Sequence, residues 1–417
     1  MTEHEPGPLA PLDRRGFLRV AGRIGLAGLA GGLAGQAPGE EIVKLPFENG
    51  ERPLVTYPQK RPLLRLTTRP PQLETPFAVF NDGVLTPNDA FFVRYHLALS
   101  PPAPQMLGSQ TFRLSIQGRV NQERTFSVAE LKSGFEPVEV VAVNQCSGNS
   151  RGFFQPRVPG GQSGHGAMGN ARWKGVRLKD VLNKSGVGKG ARQVSFDGLD
   201  KPLLPKTPDF VKALDLDQAL DGEVMLAYEM NGEDLPWLNG YPLRLVVPGH
   251  YGTYWIKHVH EINVLDKDFE GFWVNPAYRI PDNDCACVEP GTTPKRTVPI
   301  GRFNVRSFIT SLAEGATVRS GQPQTVRGIA FDGGYGIQQV LFSEDGGRTW
   351  RGAELGKDLG NYSFREWTIP FVPVRAGAYE LKVKATNRLG QSQPMEPLWN
   401  PAGYMRNVVE TVRIQAS

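Results

Sequence analysis

A single cysteine at the mouth of a polar loop is the residue best suited to do chemistry in this chain. Residues 140–151 (VVAVNQCSGNSR) run from apolar residues into that loop, with Cys146 at the junction and Arg151 five residues further on. A thiolate at the end of a strand, near fixed positive charge, is a nucleophile or a ligand for a soft transition metal. The alternative is the usual fate of a free cysteine, a small buried hydrophobe.

The N-terminus has the pattern of an export signal. Arg14 and Arg15 precede a short, glycine-rich apolar run at residues 24–34, and small residues follow at 35–37. This pattern predicts a twin-arginine signal over residues 1–37, which would deliver a folded, cofactor-loaded protein to the periplasm. The run is short and glycine-rich for a bilayer span, although an N-terminal membrane anchor is the alternative.

Composition favours a two-domain protein rich in loops and β structure. The chain has 417 residues, with 35 prolines, 48 glycines and a net charge of +5, part of which belongs to the predicted signal. Clustered basic stripes are missing from the sequence, which argues against nucleic-acid binding but leaves room for a local basic pocket that attracts a small anion. Beyond the signal no long apolar run occurs, so we expect no stable membrane insertion.

The three cysteines do not form a disulfide scaffold. Cys285 and Cys287 stand two residues apart in a predicted loop, and they could close a small strained disulfide in an oxidising compartment. We favour two loop thiols with no special role. A Cys-x-x-Cys-His motif is not present in the sequence, so no covalently attached c-type haem is expected. His258 and His260 alternate along a predicted strand, but without a third ligand nearby a separate metal site is disfavoured.

Local patterns predict the elements that must position Cys146. Strands are predicted at residues 112–118, 138–143, 194–200, 225–232, 243–247 and 255–265, and short helices after Ser127 and at 176–183. Residues 148–169 form a long connection without predicted secondary structure, and such loops inside a domain are usually functional. From residue 298 onwards, short strands at regular spacing with turn signals predict an all-β, immunoglobulin-like sandwich.

Five separated motifs, taken in order, resemble those of the sulfite oxidase family of molybdopterin enzymes. They are residues 92–96 (FVRYH), 144–151 (NQCSGNSR), 226–232 (LAYEMNG), 242–249 (PLRLVVPG) and 271–281 (GFWVNPAYRIP). The resemblance spans about residues 45–417 and is closest to bacterial periplasmic sulfite dehydrogenases. It implies an α+β molybdopterin-binding catalytic domain over residues 45–294, followed by an immunoglobulin-like dimerisation domain over residues 295–417.

The same resemblance implies a role for particular side chains. Cys146 matches the molybdenum ligand, and Arg94 and Arg151 match the arginines that hold sulfite through charge-assisted hydrogen bonds. Tyr278 matches the tyrosine that orients the anion, and His96 would share a face with Arg94 on an extended segment. The residues implied to contact the cofactor are Cys146, Arg94, Tyr95, His96, Asp200, Asn239, Arg244, Trp255, Ile256 and Lys257.

Two positions depart from the family pattern. Phe269 stands where animal members carry a tyrosine, so Tyr278 is the tyrosine that we assign to the site. Asn239 stands where some members carry a histidine, five residues before Arg244.

The implied reaction is oxygen-atom transfer that converts sulfite to sulfate, with two electrons leaving one at a time. A periplasmic c-type cytochrome is the implied electron acceptor, direct transfer to oxygen is the alternative, and homodimerisation would use the sandwich. Two other functions compete with this one. A methionine sulfoxide reductase on the same cofactor typically lacks the sandwich and the paired arginines. An exported immunoglobulin-like binding module would need no metal.

Overall fold

The computed structural model describes residues 42–44, 51–99 and 107–417. The predicted export signal at residues 1–37 therefore lies outside the described residues. Within these ranges, no helix is both long enough and apolar enough to cross a membrane.

The described residues form 28 β-strands, three α-helices and four 3-10 helices. In chain order, strands β1 to β10 are Ile42–Lys44, Glu51–Val55, Leu63–Thr67, Gln72–Glu74, Val93–Arg94, Ala98–Leu99, Leu114–Gly118, Arg124–Phe126, Pro137–Gln145 and Met168–Arg177. Strands β11 to β19 are Gln193–Gly198, Asp200–Lys201, Lys212–Asp215, Met225–Met230, Glu233–Asp234, Arg244–Val246, Val259–Leu265, Arg279–Pro281 and Thr297–Pro299. Strands β20 to β28 are Arg306–Ile309, Thr317–Val318, Gln324–Phe331, Ile337–Ser343, Arg351–Gly352, Glu354–Leu355, Arg365–Phe371, Gly377–Asn387 and Glu410–Ala416. The α-helices are α1 Val128–Gly134, α2 Leu178–Ser185 and α3 Leu216–Ala219, and the 3-10 helices are Phe77–Asn81, Arg151–Phe153, Trp237–Asn239 and Gly252–Tyr254.

The first part of the chain is mostly β structure with a few short helices on its sheets. Its three larger sheets have the strand orders β1-β2-β3-β4-β5, β15-β14-β10-β9 with β16 paired to β14, and β13-β11-β17-β7-β8. The pairs β6-β12 and β18-β19 complete it. In the third sheet β17 and β7 run parallel, whereas β11 pairs antiparallel with both β13 and β17.

Helix α1 begins where the sequence predicts, because its cap is encoded locally. The side chain of Ser127 accepts the main-chain N–H of Glu130, and the Glu130 carboxylate accepts the main-chain N–H of Ser127. This reciprocal capping box satisfies two helix N-terminal donors. The strand predicted over residues 255–265 is wrong in its first part: β17 begins at Val259, since residues 252–254 form a 3-10 helix and His258 has φ 51°, in the left-handed region.

The C-terminal part is a sandwich of two sheets, with strand orders β20-β22-β26-β25 and β21-β28-β27-β23-β24. Both sheets contribute to one apolar core, from Trp367 on the first sheet and from Phe342 and Leu381 on the second. Strand β27 alternates buried and partly exposed residues, as its sequence predicts. Phe308 and Phe331 of the first sheet also pack into the core of the first part of the chain, so the two parts share buried apolar surface.

The preference for two free loop thiols is wrong. Cys285 and Cys287 form a disulfide across the single residue Ala286. Ala286 has φ 50°, and the side chain of Asn283 accepts the main-chain N–H of Cys287 and donates to its carbonyl oxygen. The local turn therefore brings the two sulfurs together. Cys146 is the free cysteine.

A buried carboxyl group ties the N-terminal sheet to the loop that follows Cys146. Glu74, at the end of β4, is 2% exposed and accepts the main-chain N–H of Gly164 at 2.9 and 3.1 Å. Burial raises the pKa of Glu74 from 4.5 to about 7. The folded protein thus keeps a proton at this site that the unfolded chain has already lost.

This difference predicts how stability depends on pH. Because the folded-state pKa of Glu74 is raised, its contribution is full below pH 4.5 and is lost as the pH rises through about 7. Relative to Glu74→Gln, the free energy of unfolding of the wild type should fall by roughly 3 kcal/mol across this range. Chemical denaturation at several pH values measures it, with exposed Glu136→Gln as the control that follows the wild type. Parallel curves for wild type and Glu74→Gln would contradict the expectation.

Candidate active site

A cleft of about 590 Å³ lies beside Cys146 and gathers most of the predicted site residues. Those that line it are Arg94, His96, Cys146, Asp200, Asn239, Arg244, Trp255, Lys257 and Tyr278. A smaller cavity of about 330 Å³ shares Phe92, Arg94 and Cys146 with this cleft, and Arg151 lines it. We call them the large cleft and the small cavity. Cys146 therefore lines both.

Strand β9 positions Cys146 beside the two cavities. The strand passes from exposed to fully buried residues along its length and ends at Gln145, directly before the cysteine. Two main-chain hydrogen bonds then fix the loop: the N–H of Cys146 donates to Ala167 at 2.9 Å, and the N–H of Asn149 donates to Cys146 at 2.9 Å. Cys146 is half-buried and forms no disulfide, so its thiol is available to bind a metal ion.

The side chains of Arg94, Tyr95 and His96, at and after the end of β5, alternate between opposite faces, as an extended segment predicts. Arg94 and His96 both line the large cleft. Tyr95 points the other way, where its hydroxyl forms a 2.6 Å hydrogen bond with Nε2 of His258 in a small apolar cluster. Tyr95 and Ile256 line neither cavity, so their implied cofactor contacts stay predictions.

Tyr278 and His96 form a hydrogen-bonded pair on the wall of the large cleft. The Tyr278 hydroxyl bonds to Nε2 of His96, whose ring stacks on Phe210 at 3.9 Å between centroids. Desolvation, followed by the charge of Arg94, holds the pKa of His96 well below its ordinary value. Burial likewise raises the pKa of Tyr278. Both groups are therefore neutral at neutral pH, and the pair adds no charge to the cleft.

Positive charge is concentrated at the other wall of the large cleft. Arg244 is 4% exposed, and burial lowers its pKa only to about 10, so it stays charged at neutral pH. Desolvation, followed by the charge of Arg244, lowers the pKa of Lys257 to about 7. Burial raises the pKa of Asp200 to about 6, so its carboxylate is still largely ionised at neutral pH and offsets part of this positive charge. This wall is suited to an anionic group such as a phosphate.

Several buried polar atoms in the large cleft have no hydrogen-bond partner among the described residues. They are Asn144 Nδ2, Ser147 Oγ, Arg244 Nε and Thr253 Oγ1. A buried polar group without a partner is costly, and such groups in native proteins call for a specific partner. A polar ring system carrying a phosphate would supply both donors and acceptors to these atoms. The residues present therefore fit a pterin cofactor, and the role of Cys146 as its metal ligand stays a prediction.

The Arg151 side chain reaches the small cavity by packing against two glycine residues, Gly148 and Gly160. An added Cβ on Gly148 would lie 2.7 Å from Cζ of Arg151, and one on Gly160 would lie 2.8 Å from its Nη1. A side chain at either position would displace the guanidinium from this place. The preceding residue, Ser150, has φ 67°, and its hydroxyl bonds to Nδ1 of His165 at 2.7 Å. Residues of the 148–169 loop thus determine where the Arg151 guanidinium lies.

Sequence reasoning missed several residues at or behind this site. Those that line the large cleft are Phe92, Asn144, Ser147, Phe210, Leu238, Gly252 and Thr253. Lys212 lies behind it, 1% exposed, with its ammonium 5.1 Å from the Tyr278 ring centroid and a pKa that burial lowers to about 7. Asn144 and Ser147 lie within the cysteine motif and could have been found. Nothing local in the sequence marks Lys212.

The comparisons with known proteins agree with this geometry. Residues 100–273 match the family described as the oxidoreductase molybdopterin binding domain, and residues 297–417 match the Mo-co oxidoreductase dimerisation domain. Sulfite oxidase from Gallus gallus is 34% identical over 374 residues, which cover 86% of this chain and 79% of that protein. The mitochondrial sulfite oxidase from Homo sapiens is 33% identical over 384 residues, covering 88% and 68%.

A solved structure shares the fold. The sulfane dehydrogenase SoxCD from Paracoccus pantotrophus superposes with a TM-score of 0.70 and 25% identity, covering 83% of this chain and 85% of that chain. The family predicted from the five motifs is confirmed, and with it the molybdenum-molybdopterin cofactor. From its fold, its cleft and its relatives, this chain is an oxidoreductase that belongs to the sulfite oxidase family of molybdopterin enzymes.

Proposed function

We propose that this enzyme oxidises sulfite to sulfate. The observation that carries the proposal is the placement of Arg94 and Arg151 on one small cavity that also exposes Cys146. Two planar guanidinium groups can hold the oxygens of a small oxyanion through paired, charge-assisted hydrogen bonds. Glu74 also lines this cavity, but its pKa of about 7 reduces its repulsion of an anion at and below neutral pH.

The residues that would hold the cofactor are those of the large cleft. Cys146 would bind the molybdenum, and the unpaired polar atoms of Arg244, Thr253 and Asn144 would hold the pterin and its phosphate. When bound, the cofactor supplies oxygen-atom transfer and accepts two electrons. Arg94 lines both cavities, so it can hold the substrate close to the sulfur of Cys146.

Tyr278 and His96 line the large cleft beside Arg94 and Cys146, which line both cavities, so from there they would orient the bound anion without changing the charge of the site. The pKa directions of both groups keep them neutral, so the phenol retains its proton. With Nε2 of His96 as the donor in their shared hydrogen bond, that proton can be donated to the anion. The left-handed backbone of Tyr278, φ 56°, directs this side chain into the cleft immediately before β18 begins. Held in this way, the hydroxyl is preorganised and need not reorganise during the reaction.

One other substrate class competes with sulfite. The likeness to a sulfane dehydrogenase makes a sulfane sulfur the second candidate. Sulfite is favoured because the sulfite oxidases of Gallus gallus and Homo sapiens show higher identity over a similar share of the chain. The paired arginines also suit a small free oxyanion. Comparing kcat/KM for sulfite, thiosulfate and methionine sulfoxide with the molybdenum-loaded enzyme tests this choice.

We also propose the cellular setting and the assembly. The twin-arginine pattern supports a periplasmic enzyme, and a c-type cytochrome is the electron acceptor that fits this compartment. The match of residues 297–417 to a dimerisation domain supports a homodimer through the sandwich, which we take to be immunoglobulin-like. Sulfite-dependent reduction of cytochrome c, together with analytical ultracentrifugation, tests acceptor and assembly separately.

The paired arginines give the first functional prediction. Arg94→Met should lower kcat/KM for sulfite by about 100-fold, mainly through a higher KM, because one of two charged oxyanion donors is lost. Steady-state kinetics with an artificial acceptor measures the effect. Arg119→Met is the matched control, because Arg119 is exposed and lies in neither the motif of Arg94 nor that of Arg151. Unchanged affinity for sulfite in Arg94→Met would show that the small cavity is not the substrate site.

Cys146 gives the second functional prediction. Cys146→Ala should abolish turnover while the circular dichroism spectrum stays that of the wild type, because a half-buried side chain loses only one sulfur atom. X-ray absorption at the molybdenum edge should show one sulfur ligand fewer. A variant in which Cys285 and Cys287 are both alanine should keep the full sulfur coordination. Full activity of Cys146→Ala would end the assignment of this residue as the metal ligand.

A further inference from the structure

A loop of the C-terminal part reaches the loop that carries Cys146 and Arg151. Nε of Arg151 donates to the carbonyl oxygen of Ala402 at 3.2 Å, and the main-chain N–H of Met405 donates to the carbonyl oxygen of Ser147 at 3.2 Å. We call residues 400–405 the sandwich loop. Its residues lie in the part that matches a dimerisation domain. This loop therefore contacts two residues, Ser147 and Arg151, of the segment that directly follows the proposed metal ligand.

The sandwich loop has a fixed shape of its own. Asn400 is 3% exposed; its side chain accepts the N–H of Tyr404 at 3.1 Å and donates to the Tyr404 carbonyl at 2.8 Å. Gly403 has φ 61°, and an added Cβ would lie 2.4 Å from Cγ2 of Val158 and 3.0 Å from Cγ of Arg151. The loop can approach Arg151 this closely only because residue 403 is glycine.

Tyr404 makes the contacts that matter at the tip of this loop. Its ring stacks on Tyr278 with centroids 5.3 Å apart and an interplanar angle of 8°. The guanidinium carbon of Arg151 lies 5.0 Å from the centroid of the Tyr404 ring. One side chain from the C-terminal part thus touches two residues that line the cavities. Tyr404 itself lines neither cavity, so any effect on substrate passes through its neighbours.

We propose that Tyr404 is a positioning residue for Arg151, supplied by the C-terminal part, and that it sets the affinity of the site for its oxyanion. This inference rests on the proposed function, because it takes the small cavity as the site of the anion. The C-terminal part then completes the active site as well as being a candidate for dimerisation.

The chemistry of the contact explains why an aromatic ring serves here. A ring face attracts a guanidinium ion without neutralising its charge, whereas a carboxylate partner would compete with the substrate for the same donors. Gly148 and Gly160 leave room for the Arg151 side chain but offer no side chain to hold it. The Tyr404 ring and the Ala402 carbonyl supply that restraint, which reduces the ordering cost of anion binding.

Two substitutions at Tyr404 separate the ring from the hydroxyl. Tyr404→Leu should raise the KM for sulfite about tenfold with kcat within about twofold, because the cation–π contact is lost. Tyr404→Phe keeps the ring but loses the interaction of its hydroxyl with Arg151, so its KM should lie between those of the wild type and Tyr404→Leu, with kcat within about twofold. Sulfate binding to the holoenzyme, measured by calorimetry, should weaken about tenfold in Tyr404→Leu. Tyr335→Leu, at an exposed tyrosine of the same part, should change nothing.

A double-mutant cycle with Arg151→Met tests whether Tyr404 acts through Arg151. The Tyr404→Leu change should have almost no further effect once Arg151 is gone, and additive effects would overturn the inference. An unchanged KM in Tyr404→Leu, or a Phe variant as poor as the Leu variant, would overturn it too. If Tyr404→Leu does not load molybdenum, Tyr404→Met takes its place in the cycle. A wild type that binds sulfate but does not oxidise sulfite would instead overturn the proposed function, and the calorimetry would still decide the role of Tyr404.

Discussion

The site depends on holding positive charge in a desolvated cleft next to a thiol. Arg244 stays charged despite its burial, and Lys257 titrates near neutral pH, so the wall that they share favours an anion. Buried cations are costly unless a partner of opposite charge and further hydrogen bonds compensate them. The unpaired polar atoms around Arg244 show where that compensation belongs. The polypeptide is thus shaped for its anionic cofactor rather than for stability alone.

A second constraint is the backbone strain that surrounds this cleft. Ser150, His258, Tyr278 and Met405 all have φ between 51° and 67°, a region that residues with a Cβ seldom occupy. Each is held by tertiary contacts, such as the bonds of His258 to Tyr95 and to the Tyr241 carbonyl. Strained residues persist only where the surroundings fix them, and they concentrate at functional sites. Their grouping here marks the region that the fold has to hold in place.

The C-terminal part contributes to that task through polar as well as apolar contacts. Arg306, on β20, is 1% exposed; it donates to Ser150 Oγ at 3.0 Å and pairs with Glu410 at 3.3 Å. A buried pair of this kind adds little net stability but strongly disfavours any arrangement that breaks it. Because Ser150 directly precedes Arg151, this network connects the sandwich to the small cavity that we propose for the substrate. The two parts of the chain therefore make direct polar contact beside the proposed site.

Local patterns in the sequence determined the family, most strands, the α1 cap, and the common face of Arg94 and His96. These features depend on neighbours within one element, where periodicity and side-chain chemistry act directly. The left-handed turn before β17 and the pairing of Cys285 with Cys287 were not predicted, because each needs a particular backbone turn. Tertiary structure alone decided the meeting of Arg151 with the sandwich loop, across 251 residues to Ala402. Such contacts follow from how whole sheets pack, and no local pattern encodes them.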